Sequence, residues 1–398
     1  MEETLALFGG IPVFDQKIGY GRQSIDDADI QAVIDVLQSD FLTCGPKLEE
    51  VERKLCRITG AKYAVLISNG TAALHAACYA ASIQSGDEVI TTPITFAASA
   101  NCALYCGAKP VFADIDPETY NISPEKIEEK ITDRTRAVVA VDFTGQAVEL
   151  DQIREICQKH HLILIEDGAH SIGTKYNGTP VGSIADLTTF SFHPVKTVTA
   201  GEGGAVLTND EAFYKKLLLF RSHGITRNEN WMSGKSEGGW YYEQMELGMN
   251  YRMTDIQAAL LGSQLDRLET FAKRRREIVR MYDEAFQEMP EIIVQKEIPQ
   301  SDTVRHLYLL RLNPERLKAG RKEIFDALTA ENIGCNVHYI PVYYFPYYQK
   351  LGYQKGLCPN AEALYERLIT IPLYFGMSDE DVQNVIQAVK KVLNYYRK

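Results

Sequence analysis

Tyr63-Ala64-Val65-Leu66-Ile67-Ser68-Asn69-Gly70-Thr71 reads as a short buried strand that turns directly into an alanine-rich helix, Thr71 to Ala81. An unbroken apolar run closed by a polar turn fits a strand covered on both faces. The pattern then repeats. Asp87 to Thr91, Lys109 to Ala113, Ala137 to Phe143 and Leu162 to Ile165 read as strands, with helices over Phe96 to Cys106, Pro124 to Ile131 and Leu150 to His160 between them. Upstream, Ser24 to Leu37 and Pro46 to Thr59 read as helices, the second with Leu48, Val51, Leu55 and Ile58 on one face. Strands alternating with helices imply right-handed βαβ units, hence an α/β fold with a mostly parallel sheet and helices on both faces. In such sheets ligands lie beyond the carboxyl ends of the strands.

Three chemical groups fall at that edge. Asn69-Gly70-Thr71 follows the first strand. Glu166-Asp167-Gly168-Ala169-His170 follows Leu162 to Ile165. Ser191-Phe192-His193-Pro194-Val195-Lys196-Thr197 ends the strand Thr188 to Phe192 and runs on to Gly201-Glu202-Gly203-Gly204. An amine, a carboxylate and a helix start are the parts that hold pyridoxal phosphate (PLP): a Schiff-base lysine, an acid paired with the pyridine nitrogen and a phosphate cradle. Lys196 alone would read as a loop lysine; its partners argue otherwise. Asp167 closes a buried run and needs a partner, although a loop cap is the plain alternative. Glu166 alternates to the opposite side of the strand and reads as structural. His170 is placed for the ring hydroxyl or as a satisfied structural histidine. Free amides at Asn69, Gly70 and Thr71 favour an anion, with a charge contribution of about 0.3–1 kcal/mol; an ordinary N-cap is the alternative. Ser191 is placed to donate to the same phosphate. Phe96, at the mouth of another strand, either stacks on the ring or joins the core.

Composition sets the outer bounds. The chain has 398 residues, 45% apolar and 24% charged, with a net charge of -11. That charge argues against nucleic acid as a partner, although local helix starts still bind phosphates. Cysteines at 44, 56, 78, 102, 106, 157, 335 and 358 form no C-x-x-C pair and no metal-ligand spacing, and read as reduced thiols of a cytoplasmic protein without a bound metal. No secretion signal opens the chain, and no apolar run is long enough to span a membrane.

Beyond Gly204 the organisation changes. Residues 226 to 250, with Trp231 and Trp240, read as a long loop. Thr254, with Asp255 in the first turn, starts a helical stretch to about Gln287. A smaller α+β unit follows, with His306 to Leu312 as a strand and Arg321 to Glu331 as a helix. The expected division is a large cofactor-binding domain with an N-terminal arm over 1–255 and a small C-terminal domain over 256–398, entered through a long helix.

Taken in order, these segments resemble the nucleotide-sugar aminotransferases of the DegT/StrS type, PLP-dependent transferases of fold type I. The likeness runs from Phe41-Leu42-Thr43-Cys44-Gly45-Pro46 through the motifs above to Leu247-Gly248-Met249-Asn250-Tyr251-Arg252-Met253-Thr254-Asp255, His338-Tyr339-Ile340-Pro341 and Ile371-Pro372-Leu373-Tyr374. It implies that Lys196 carries the Schiff base, Asp167 pairs with the ring nitrogen, Phe96 stacks on the ring and His170 approaches its hydroxyl. Gly70, Thr71 and Ser191, with Asn69, would hold the phosphate. Asn250 would reach the phosphate of a neighbouring subunit, giving a homodimer with shared sites. His338 and Tyr339 would contact a nucleotide sugar, and Arg22, Arg221 and Arg252 are candidates for the glutamate carboxylate. Phe192 to Glu202 and Ile94 to Ala103 resemble the branch serving pseudaminic acid synthesis. The implied reaction moves the amino group of L-glutamate to the C4 ketone of a UDP-linked 4-keto-6-deoxy-N-acetylhexosamine. Attack at C3, removal of a sugar hydroxyl, and a non-catalytic regulator on the same fold are the alternatives.

Overall fold

The computed structural model describes residues 4–398. Its main sheet has seven strands: β1 (Tyr63–Ile67), β2 (Glu88–Thr91), β3 (Lys109–Phe112), β4 (Thr135–Val141), β5 (Ile163–Asp167), β6 (Leu187–Ser191) and β7 (Gly204–Thr208). They lie in the order β1-β7-β6-β5-β4-β2-β3. All run parallel except β7, which pairs antiparallel with both β1 and β6. The sequence pattern had not marked β7 as a reversed strand. The reason is geometric: segment 192–203, between β6 and β7, is too short for a crossover helix and must turn back on itself. Lys196 lies in that turn.

Alternation along the strands explains the two-sided cover. Val65 and Ile67 of β1, with Val139 of β4 and Ile165 of β5, pack with the helix Gly70–Ala80 on one face. Ala64, Leu66, Val138 and Leu164 pack on the other, against Leu48, Val51 and Leu55 of Pro46–Thr59 and Leu150 and Ile153 of Leu150–Lys159. The strands are thus largely dry on both faces, as a parallel sheet requires, with Lys109 and Arg136 exposed near their starts. Asp167 therefore shares the face of Ile165, while Glu166 lies on the opposite one.

Several boundaries differ from the sequence reading. The first helix runs from Asp27 to Leu37, because Asp26 rather than Ser24 caps it: the Asp26 side chain accepts the Asp29 amide, and Asp29 reciprocates. The long stretch after Thr254 is two helices, Asp255–Asp266 and Leu268–Phe286, interrupted at Arg267. Arg267 ion-pairs with Asp26 at 2.8 Å and with Asp29, tying the break to the first helix. Asp255 accepts the Gly45 and Lys47 amides at 2.9 and 3.0 Å, so it also serves the start of Pro46–Thr59. Residues 226–250 contain a small ladder, Ile225–Thr226 with Glu243–Gln244, and a short turn at Glu229–Trp231.

A second, antiparallel sheet joins Ile292–Ile293, Tyr308–Leu312 and Leu368–Ile371. Arg321–Ala330, Asp379–Tyr395 and Leu268–Phe286 cover it, and Leu5, Phe14 and Ile18 from the start of the chain enter the same core. Ala258, Leu261 and Leu265 instead belong to the core of the main sheet. Among the described residues no helix is long and apolar enough to cross a membrane, and no cluster of side chains is suited to a metal ion.

Candidate active site

The carboxyl ends of β5 and β6 open into a cavity of about 880 Å³. Lys196, Asp167 and Ser191 line it together with Asn69, Gly70 and Thr71. The three groups expected at this edge are therefore in one space. The second sheet and its loops close the far side through His306, Asn336, His338 and Tyr339.

The turn carrying Lys196 is pinned at its base. The Ala200 amide and the Thr199 hydroxyl both donate to the Phe192 carbonyl, at 2.9 and 3.0 Å, and the Lys196 amide donates to His193. Desolvation by the enclosing protein lowers the Lys196 ammonium to about 8, against an opposing pull from Asp167. A sizeable fraction of the amine is then neutral near pH 8, as a nucleophile needs.

Asp167 is buried at the end of β5. Its carboxylate accepts the Ser99 hydroxyl at 2.6 Å and the Ala169 amide at 3.2 Å. Burial raises its pKa, while those donors and the charge of Lys196 lower it. Ser99, held in turn by Thr95 at 2.7 Å, was not singled out from the sequence, where a serine in an alanine-rich helix carries no signal. No ion pair reaches Asp167 among the described residues. A buried acid served by neutral donors alone fits a group that brings its own N–H.

The turn expected to hold the phosphate is built from small residues. Asn69 Oδ1 caps the helix Gly70–Ala80 by accepting the Ala72 amide at 2.8 Å. Its side chain is thus engaged in the cap, and the donors left for an anion are the first-turn amides, which have no intrahelical partner. A Cβ on Gly70 would lie 2.8 Å from Ser191 Cβ and 3.0 Å from its Oγ, so Gly70 lets the two segments close around a small group. Gly204 has the same role against the Asn69 carbonyl, 2.5 Å from an added Cβ. Gly70→Ala is expected to weaken PLP binding about tenfold or more, the value of roughly one well-placed hydrogen bond. Titration of cofactor-free protein with PLP checks this; an unchanged Kd would dismiss the cradle.

Phe96 is 63% exposed. It lies in the loop before Ala98–Tyr105, not in the helix expected from Phe96 onward. Its ring lines the cavity with Tyr339 as neighbour at 6.4 Å. His170 is buried. Its Nε2 is 3.2 Å from the Tyr339 hydroxyl, and its Nδ1 has no protein partner. His338 Nδ1 lies 2.9 Å from the Thr370 hydroxyl. Burial lowers His170 well below the usual range and His338 to about 4, so both rings are neutral at pH 7. His306, which the sequence analysis read only as the start of a strand, stands 4.6 Å from His170, ring to ring.

Asn250 and Arg252 do not line the cavity of their own chain; Tyr251 between them does. Asn250 is exposed and bridges Ser222 through its backbone. Arg221 pairs with Glu52 at 2.5 Å. Arg22 lines a separate cleft beside Asp381. None of the three arginines weighed for the glutamate carboxylate faces the main cavity.

Close approach at Gly70, the backed carboxylate of Asp167 and the unpartnered Nδ1 of His170 all suit PLP. Over residues 23–390 the chain matches the model of the DegT/DnrJ/EryC1/StrS aminotransferase family. It is 43% identical over 376 residues to the spore coat polysaccharide biosynthesis protein SpsC of Bacillus subtilis, covering 94% of this chain and 96% of that protein. It is 38% identical over 384 residues to a UDP-4-amino-4,6-dideoxy-N-acetyl-beta-L-altrosamine transaminase of Campylobacter jejuni, covering 96% of this chain and 99% of that one. The solved structure of Helicobacter pylori PseC, an aminotransferase involved in the biosynthesis of pseudoaminic acid, superimposes with a TM-score of 0.89 at 33% identity, covering 96% of this chain and 100% of that chain. The chain belongs to the DegT/DnrJ/EryC1/StrS aminotransferase family, and its cofactor is pyridoxal phosphate.

Proposed function

We propose that this aminotransferase moves the amino group of L-glutamate to the C4 ketone of a UDP-linked 4-keto-6-deoxy-N-acetylhexosamine. The product would be a UDP-4-amino-4,6-dideoxy sugar for pseudaminic acid or a related surface glycan. The observation that carries the reading is the meeting of Lys196 and Asp167 in one cavity with neutral hydrogen-bonding rings on the opposite wall. The name of the Campylobacter jejuni relative supports the sugar class. A lysine at position 196 favours transamination over hydroxyl removal, because the dehydratases of the resembling group replace it with histidine.

Bound PLP supplies an aldehyde and an electron-poor ring that takes up the electron pair of a broken C–H bond. The protein does the rest. Lys196 Nζ, neutral in part at working pH, would carry a proton from the α-carbon of glutamate to C4′ of the cofactor, and in the reverse half a proton from C4′ to C4 of the sugar, a contribution typically of about 10²–10⁴-fold. Asp167, fixed by Ser99 and Ala169, holds the proton of the ring nitrogen. The Gly70 and Thr71 amides and Ser191 bind phosphate, with Asn69 acting through its cap. Phe96, exposed to the cavity, would cover one face of the ring, and His170, with its Nδ1 unpartnered, would meet the ring hydroxyl. His338 and Tyr339 offer neutral contacts to the sugar nucleotide.

The remaining assignments belong to the same proposal. The chain works as a cytoplasmic homodimer in which Asn250, exposed and outside the lining of its own cavity, completes the site of the second copy, and Arg252 serves substrate from the same edge. A large domain and a small one close on the substrate between them, and Ala258, Leu261 and Leu265 in the main-sheet core support moving the expected boundary from 255 to about Arg267. The test uses purified protein, PLP, glutamate and the UDP-4-keto sugar. Ketone-dependent formation of 2-oxoglutarate and a product with nitrogen on C4 are expected. Nitrogen on C3, or loss of a hydroxyl without 2-oxoglutarate, would replace this reading.

A further inference from the structure

Asp142, Glu166 and Asp167 place three carboxyl groups in one buried volume, and only Asp167 faces the cavity. Glu166 alternates to the other face of β5 and stands beside Asp142, which follows the end of β4: Ala140, two residues before Asp142, pairs with Glu166 across the sheet, and each carboxyl perturbs the titration of the other. Both have polar neighbours, and among the described residues neither has an ion pair. Asp142 Oδ2 accepts the Ser171 hydroxyl at 2.5 Å, and Oδ1 accepts the Val148 amide at 3.0 Å. Glu166 Oε2 accepts the hydroxyl of Thr188, its cross-strand partner, at 2.9 Å. The Gly182 amide also acts on this carboxyl and favours its ionised form, while Glu166 Oε1 makes no hydrogen bond.

Two neighbouring carboxylates in a dry interior do not both ionise. A buried oxygen without a donor is also costly, by about 1–3 kcal/mol. One proton resolves both difficulties: on Glu166 Oε1 it makes that oxygen a donor to Asp142. We propose that Asp142 and Glu166 share one proton and act as positioning residues that keep a single negative charge behind Asp167. The inference rests on Asp167 being the partner of the ring nitrogen. Burial pushes Glu166 up to about 7 and Asp142 well above the carboxylate range, as the shared proton requires. The charges that bear on the trio are one another's and that of Lys196, which reaches Asp167. A fixed negative charge at this depth raises the proton affinity of its surroundings, so the ring nitrogen facing Asp167 keeps its proton to higher pH.

The experiment compares wild type, Glu166→Gln and the double variant Asp142→Asn/Glu166→Gln. Gln donates N–H to Asp142 and leaves the net charge at one, whereas the double variant has nearly the same volume and no charge. Infrared difference spectra of cofactor-free protein are expected to show a carboxylic acid C=O band in wild type that Glu166→Gln lacks. In PLP-loaded protein, the pH at which the visible band titrates is expected to match wild type in Glu166→Gln. In the double variant it should fall by about one unit or more, the scale of a neighbouring charge. No acid band lost on substitution, or a double variant titrating like wild type, overturns the proposal. If Glu166→Gln does not fold, Asp142→Asn, which donates to Glu166 instead, takes its place. A Lys196→Ala protein that still forms the visible band would sink the cofactor reading while leaving the infrared result intact.

Discussion

Lys196→Ala is expected to lose the visible absorbance of PLP-loaded protein, and turnover is expected to fall by at least about 10⁴-fold, the upper end of general acid–base contributions. Lost nucleophile and lost proton carrier act together at this one position. Borohydride treatment should attach the cofactor to wild type and leave the variant unlabelled. The fold should survive, because the substitution removes an amine whose charge is opposed by desolvation. The sign of the pH effect follows. Below about 8 the amine is an ammonium without a free electron pair. Capture of PLP by cofactor-free protein should therefore accelerate as pH rises from about 7 to about 9, as the neutral fraction climbs from about a tenth to about nine-tenths. Stopped-flow absorbance measures it, and capture that slows over that range would contradict the assignment. Retained turnover in Lys196→Ala would end it.

Asp167→Asn separates catalysis from stability. The amide keeps the volume and a hydrogen-bond acceptor for Ser99, but loses the charge and the second acceptor, which serves the Ala169 amide. Removing one partner of a buried charged contact costs about 3–5 kcal/mol, so kcat is expected to fall by at least about a hundredfold. The cofactor-free protein should melt no lower than wild type, since burial already disfavours the ionised carboxyl. An enzyme that keeps wild-type kcat would remove Asp167 from the chemistry. One that loses activity together with its fold would make the residue structural.

The main sheet was readable because buried parallel strands leave apolar runs such as Tyr63–Ile67, and because polar residues crowd their carboxyl ends. Lys196, Asp167 and the Asn69–Thr71 turn stood out for that reason. The strand β7 is not assigned from the sequence at all, because it begins at the end of Gly201-Glu202-Gly203-Gly204, which reads as a loop, and its reversed direction leaves no mark in composition. The break at Arg267 was hidden because the helical period continues across it, and its cause, the pairing with Asp26 and Asp29, is remote in sequence. Ser99 and His306 carry no local pattern; only the meeting of β5 with Ala98–Tyr105, and of the second sheet with the cavity, makes them neighbours of the chemistry. Asn69 was legible as a helix start, and the structure shows how its side chain is engaged.

The start of the chain also has a consequence for how the protein is made. Leu5, Phe14 and Ile18 pack with Val385, Val389 and Leu393 of the last helix, and the Ile18 carbonyl accepts the Gly334 amide at 2.7 Å. Tyr20, two residues on, already lines the cavity. Leu5, Phe14 and Ile18 must therefore wait for a segment synthesised more than 360 residues later before they reach their place. Contacts of such sequence separation form late, so a nascent chain stalled short of its final helix should hold an ordered main sheet and an unfinished pocket.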